Sequence, residues 1–290
     1  MSLGFPFIAA AIYATASYLS KEAMNRGAGL LRLAFVTNWM FLLIFGPLAL
    51  LDWQKALWSA IGWPILTGVF FFLGHVFTFA AIRAGDVSLQ TPLMGTKTIF
   101  VALLAIFLGV QELDGPIILA AAGMTLAIVT LAWPDKLQSN KPATTVALAL
   151  LSSLFFAFSD ISVAQNARDF GAPRTYLSIT MLVNALLSFS LVPFFKEKLA
   201  AMPKVSLRPL LISGAMMAGQ ALLMNLFLAL DGRAAEANIA YSTRGLWSVI
   251  IPLIGLGWLA GSQAKMSKRI LLRRIIGAAI MTFSITMLFR

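Results

Sequence analysis

Long apolar stretches alternate with short polar connections along the whole chain. A membrane-crossing helix needs about 20 mostly apolar residues. On that measure the pattern predicts ten segments, over roughly 3–20, 33–51, 61–82, 87–110, 115–133, 144–165, 176–195, 209–229, 238–260 and 275–289. The last is short, and its helix can begin earlier, among Leu271 to Arg274. The connections are short, so neighbouring helices are expected to be antiparallel, and none leaves room for a soluble domain. The most polar linker, Pro134 to Pro142, falls at the midpoint and divides a first half (1–134) from a second (142–290).

The halves align with each other. Residues 14–26 (ATASYLSKEAMNR) lie over 156–168 (FAFSDISVAQNAR), pairing Ser17 with Ser159, Ser20 with Ser162 and Arg26 with Arg168. Pro64 and Gly74 fall over Pro209 and Gly219, and Asp86–Gly95 over Glu236–Gly245. Five helices per half is an odd number, so the second half is expected to be inverted in the membrane. The predicted fold class is an all-α membrane protein of ten transmembrane helices in two inverted five-helix repeats, an architecture that places a site between the repeats.

Composition agrees. Of 290 residues, 60% are hydrophobic and 11% charged, with a mean hydropathy of +0.88, against about 25% charged in soluble domains. The net charge of +11 is spread between apolar segments, which suits anionic headgroups rather than nucleic acid. There is no cysteine, hence no disulfide framework, thiol nucleophile or thiolate metal site. HExxH, G-x-S-x-G and the phosphate-binding GxxxxGK[ST] are absent, which argues against an enzyme and against direct ATP drive. No metal or other cofactor is expected. The first apolar segment lacks a basic leader and a cleavage site, so it reads as a retained helix. The expected setting is multi-pass in the cell (inner) membrane, as monomer or homodimer, with the lipid bilayer and a small organic metabolite as partners.

Isolated charges mark the candidate chemistry. From Val87 to Gln111 the only formal charge is Lys97; from Ala237 to Ala264 it is Arg244; between Pro142 and Ala167 it is Asp160. A lysine at mid-helix costs about 2.5–3.5 kcal/mol on insertion scales and marks a wet cavity or an acidic partner. Gln90, Met94 and Lys97 share a helical face, with Pro92 between them able to open the helix. Tyr241, Arg244, Trp247 and Ser248 share another, and the repeat alignment sets Arg244 over Met94. One deep cation per half could meet an anion between them, the guanidinium as a planar fork and the ammonium as a compact charge. Asp160 could instead neutralise either cation, or carry a proton. His75, the only histidine, could titrate or donate to substrate; Gln220 is its counterpart in the alignment. Phe79, Asn225 and Tyr18 are further candidates for the pocket, with Ser17 and Ser159. The remaining Phe and Met residues read as lipid-facing bulk. Lys21, Arg26, Arg83 and Arg168, near segment ends, read as headgroup contacts.

The run Leu73–Leu89, continuing through Pro92-Leu93 to Leu108-Gly-Val-Gln-Glu112, Gly115 and Ala121-Ala-Gly-Met124, resembles the ten-helix, EamA-type members of the drug/metabolite transporter superfamily. A weaker copy spans Gly219–Ala235, Glu236–Gly261 and Gly277-Ala-Ala-Ile280. The chain departs from the family where its LGE-like turn contains Val110-Gln111 and where the second half lacks the acid. The resemblance implies an alternating-access carrier whose third, fourth, eighth and ninth helices line a central cavity, with the fifth and tenth outside. It also implies cytoplasmic termini, whereas the excess of Lys and Arg on the opposite side places the termini outside. The expected function is secondary transport of a small anionic or zwitterionic metabolite. Amino acids are the first candidate cargo and organophosphates the second, with proton coupling or exchange both open. A lipid or drug flippase of the same fold is the alternative.

Overall fold

The computed structural model describes residues 2–84, 93–109, 112, 114–132, 142–253 and 268–287. Among them there is helix and no strand. The elements are α1 (Gly4–Asn25), α2 (Leu30–Phe45), α3 (Gly62–Ala84), α4 (Lys97–Phe107), α5 (Gly115–Ala132), α6 (Pro142–Asp169), α7 (Pro173–Leu187), α8 (Lys204–Asp231), α9 (Ala234–Tyr241), α10 (Arg244–Leu253) and α11 (Lys268–Thr286). Tighter 3₁₀ turns extend α2 over Gly46–Leu51 and α7 over Ser188–Phe194, and precede α4 at Met94–Thr96. Five helical stretches are long and apolar enough to cross a membrane: Leu30–Leu51, Trp58–Ala84, Ala143–Asp169, Pro173–Phe194 and Lys204–Asp231. Large apolar side chains stand outward, among them Phe107 at 85% exposure and Leu50 at 78%. That is the surface a hydrocarbon solvent wants, and helices satisfy their own backbone there.

The ninth predicted segment differs from expectation. Its helix is interrupted by a turn at Ser242-Thr243, so Tyr241 ends α9 and Arg244 opens α10. Segment four has the same form, a 3₁₀ turn followed by a fresh helix opening at Lys97. Both isolated cations therefore sit at helix starts, not in uninterrupted helix. Gln90, Pro92, the linker 134–141 and the far end of segment nine lie outside the described residues, as does the side chain of Ser248.

Segments this apolar have no obvious inward face, and small residues choose it. The most extensive packing joins α3 to α6 and α1 to α8. On α1 the buried face is Ala9, Ala10, Tyr13, Ala14, Ala16, Ser17, Ser20 and Ala23. Hydroxyls tie α3 to α6: Thr78 Oγ1 lies 2.8 Å from Ser152 Oγ, Ser152 donates to the Gly74 carbonyl at 2.8 Å, and Thr67 Oγ1 is 2.6 Å from both Ser162 Oγ and Tyr176 Oη. α2 lies antiparallel to α7, with Ser178 Oγ donating to the Phe45 carbonyl at 2.7 Å. α5 packs on α11 at the edge.

Helix ends are held by charge. Asp52, beyond α2, caps α7: its carboxylate accepts the N–H groups of Arg174 (3.0 Å) and Thr175 (2.9 Å) and the Thr175 hydroxyl (2.7 Å). An acid at a helix start satisfies free N–H groups and matches the dipole. Lys21 donates to the Ile82 carbonyl at 2.8 Å and Arg168 to the Asp231 carbonyl at 3.3 Å. Those two cations cap helix C-termini rather than simply facing headgroups.

Two glycines give opposite expectations. A Cβ on Gly68 would stand 2.7 Å from both the Thr180 carbonyl oxygen and Val183 Cβ, whereas one on Gly219 would meet nothing within 4 Å. Gly68→Ala is expected to destabilise by about 1–3 kcal/mol. Gly219→Ala should leave stability level or slightly raised. Thermal unfolding of the detergent-purified variants measures both.

Candidate functional site

A cavity lies at the centre of the bundle. Its lining comes from α1 (Tyr13), α2 (Phe41), α3 (Phe71, His75, Thr78), α4 (Lys97), α6 (Phe156, Asp160), α8 (Met217, Gln220, Ala221, Met224, Asn225), α9 (Tyr241) and α10 (Arg244). Among the described residues, α5 and α11 contribute nothing to it. Seven residues singled out in the sequence meet here: Lys97, Arg244, Asp160, Tyr241, His75, Gln220 and Asn225.

The two cations are treated differently. Lys97 Nζ lies 2.6 Å from Asp160 Oδ2, and the same oxygen accepts Asn238 Nδ2 at 2.8 Å. Both partners of this ion pair are buried. Arg244, 2% exposed, has no carboxylate partner among the described residues. One guanidinium nitrogen, Nη2, donates to the Met94 carbonyl, while Nε has no partner among the described residues. Aromatic faces supply the rest of its surroundings. The guanidinium carbon lies 4.6 Å from the Tyr241 ring centroid and 5.0 Å from that of Tyr13. Lys97 Nζ stands over the same Tyr241 ring at 5.2 Å and over Phe156 at 5.9 Å. Such contacts are worth about 2 kcal/mol when desolvated, less than a full counter-charge. With one carboxylate for two cations, the cavity carries one net positive charge.

The two helix breaks face each other, and this lets the cations converge. Thr98 Oγ1 is 2.5 Å from Ser242 Oγ and donates to the Asn238 carbonyl at 3.3 Å. The Met94 carbonyl, in the 3₁₀ turn at Met94–Thr96, accepts both Arg244 and, at 3.2 Å, the Ser153 hydroxyl.

The rest of the wall is polar on one side and aromatic on the other. Tyr241 Oη donates to Gln220 Oε1 at 2.7 Å, and Gln220 Nε2 to the Met217 carbonyl at 3.0 Å. Asn225 Nδ2 donates to the Ala221 carbonyl at 2.9 Å. The His75 ring packs against Phe41 (5.0 Å) and Phe79 (4.6 Å), with Nδ1 on Asn38 Oδ1. With Oδ1 as acceptor, Nδ1 carries the proton. That leaves Nε2, which has no partner among the described residues, as an acceptor at the cavity wall.

Phe79 is fully buried behind His75, Tyr18 is buried among the α1 core, and half-buried Trp247 packs against the core; none of the three lines the cavity. Ser17 turns back to the Tyr13 carbonyl at 2.9 Å, and Ser159 Oγ is buried without a partner among the described residues. Conversely Phe41, Phe71, Phe156, Met217 and Met224 do line it, contrary to the expectation of lipid-facing bulk, as does Tyr13. Asn238 was also missed, although its place one turn before Tyr241 and Ser242 was a readable signal.

Truncating one member of a buried pair strands the other and costs about 3–5 kcal/mol. Asp160→Leu is therefore expected to lower the thermal midpoint sharply, and the double variant Lys97→Met/Asp160→Leu to recover most of the loss. A double-mutant cycle in detergent reads this coupling.

No family model matches the chain, and no curated protein does. A solved structure described as "Crystal structure of protein" has a TM-score of 0.72 to this chain at 14% identity, covering 99% of this chain and 96% of that one. That likeness is one of fold.

Proposed function

We propose that the protein is a secondary active transporter of a small organic anion or zwitterion, of the EamA type, working by alternating access in the cell membrane. In this reading ten helical segments cross the bilayer as two inverted five-helix repeats. Helix–helix packing supports the repeat. If segments one to five correspond to six to ten, the α3–α6 and α1–α8 pairs are each other's counterparts. So are the α2–α8 and α7–α3 pairs. Equivalent helices of an inverted repeat should lie antiparallel, as α2 and α7 do. Each end of that pair carries an ion pair: Asp52 with Arg174 at 3.8 Å, and Glu197 with Arg32 at 3.2 Å. Broken helices in corresponding segments are a feature of such carriers.

The observation that carries the functional reading is Arg244: a buried arginine with no acid paired to it among the described residues, on the wall of a central cavity. Intramembrane charge is retained where it has a task. A guanidinium with a free N–H suits a carboxylate. His75 Nε2, an acceptor on the same wall, suits an ammonium or hydroxyl. Together they favour amino or hydroxy acids over organophosphates, whose extra charge exceeds the single net positive available. Asp160, already bonded to Lys97 and Asn238, serves the empty site as a counter-ion. The same arrangement is compatible with exchange of one acid for another.

Purified protein in liposomes, assayed for uptake of a panel of labelled amino and hydroxy acids, tests this. Removing one partner of a buried charged hydrogen bond costs at least about 2 kcal/mol, so Arg244→Gln should reduce uptake at subsaturating substrate by about thirtyfold or more. Arg244→Lys should fall between. Undiminished uptake by Arg244→Gln, or a preference for organic cations, rejects the reading.

A further inference from the structure

A second, larger cavity opens at one end of the bundle, where α1 and α3 finish, α2 begins and the chain leaves the α7 extension. Its walls carry Lys21, Arg32, Arg83 and Lys196 against one acid, Glu197, four positive charges and one negative. Two of these cations belong to the framework. Arg32 is buried, donating to the carbonyls of Ala28 and Gly27, both at 2.8 Å, besides its pair with Glu197. Lys21 holds the end of α3 through Ile82. The other two, Arg83 and Lys196, are exposed and have no ion pair or hydrogen bond among the described residues. The cavity thus combines a fixed basic floor with two cations available to a ligand.

The wall on the other side is aromatic and continues away from the cavity along the bundle. Phe194 and Phe195 line the opening, and Phe194 is 72% exposed. Phe195 meets Phe35 at 5.9 Å, Phe35 meets Phe189 at 5.5 Å, and Phe189 meets Trp39 at 5.6 Å. Phe189 is 52% exposed. A ligand shaped to both parts has a phosphate for the cations and a hydrocarbon tail for the aromatic strip. Aromatic residues concentrate where headgroups meet acyl chains, and basic residues attract anionic lipid at the same level.

We propose that this cavity is a binding site for an anionic phospholipid, with the phosphate between Arg83 and Lys196 and an acyl chain along Phe195, Phe35 and Phe189. The site lies apart from the central cavity and shares no lining residue with it. It requires only that the apolar helices sit in a bilayer, so it stands or falls independently of the cargo.

The test compares full-length protein in phosphatidylcholine nanodiscs with and without phosphatidylglycerol, reading the thermal midpoint, and counts phosphatidylglycerol molecules retained after detergent extraction by native mass spectrometry. Phosphatidylglycerol should raise the midpoint and remain bound. Arg83→Gln and Lys196→Gln should each weaken retention by about fivefold, one basic residue's share near a membrane surface. Lys204→Gln, an exposed cation outside the cavity, should not. Phe189→Ser should shorten retention without removing charge. Equal loss for Lys204→Gln reduces the effect to general surface charge and overturns the site. Inorganic phosphate that raises the midpoint as far in pure phosphatidylcholine overturns the lipid assignment. No retained phosphatidylglycerol in the unaltered protein overturns the proposal outright.

Discussion

One carboxylate serves two buried cations, and most of the central architecture follows from that shortage. Burying a charge without a partner costs several kcal/mol. Lys97 meets the cost with Asp160, and Asn238 gives the shared oxygen a second donor. Arg244 must do with two aromatic faces and a main-chain carbonyl. That carbonyl lies in the 3₁₀ turn at Met94–Thr96. The helix break, the tyrosine pair and the placing of Met94 are thus one solution to a single electrostatic problem. Tyr13 and Tyr241 meet edge to face at 5.9 Å, which aligns both rings beneath the guanidinium.

Packing divides the bundle in a way the chain order does not. α1 clings to α8, and α3 to α6, so each tight pair contains one helix from each half of the chain. α4 packs on α6 and α10 on α1, while α9 packs on both α1 and α4. The cavity lies between these two groups. Lys97 and Asp160 belong to one, Arg244 and Tyr241 to the other. Along the seam between the groups, polar contacts run from Arg244 to Met94, Asn238 to Asp160, Thr98 to Ser242, and Tyr13 Oη to Met94 Sδ at 3.1 Å, beside apolar packing of α6 against α8. Within each group the contacts are small residues and hydroxyls at close range.

The isolated charges were legible because an ionisable residue stands out against an apolar run whatever its neighbours do. Lys97, Asp160 and Arg244 were found that way, and Gln220 and His75 because polar residues recur at aligned positions. The aromatic lining was not legible. Where a helix is apolar all round, hydrophobicity does not separate core from lipid, so Phe71 faces the cavity while Phe107 faces outward. Small residues decide that, by permitting close approach on one face only. Trp247 shows a second limit. Its assignment to the Tyr241–Arg244 face assumed continuous 3.6-residue periodicity, and the turn at Ser242-Thr243 resets the phase. Tyr18 is the candidate the sequence suggests, whereas Tyr13, five residues away on a different face, is the tyrosine of α1 that lines the cavity. Lys21 and Arg168 were correctly placed at helix ends, but their carbonyl partners come from helices distant in sequence.

In the transport reading, the unshared arginine also accounts for how cargo could act on the fold. A ligand shifts a conformational equilibrium only by interacting differently with its two states. Arg244 joins the two helix groups through the Met94 carbonyl, a neutral acceptor that holds the guanidinium with one nitrogen. A carboxylate arriving in the cavity offers charge and a second acceptor, and so competes for the same group. Once the guanidinium turns to it, the Met94 contact is lost and the central charge falls to zero. The anion thereby weakens a bond across the seam and removes the excess charge that made moving the occupied site through a low-dielectric interior costly. Without cargo both penalties return. A carrier with this centre turns over more readily when loaded than when empty, which is the kinetic condition for exchange.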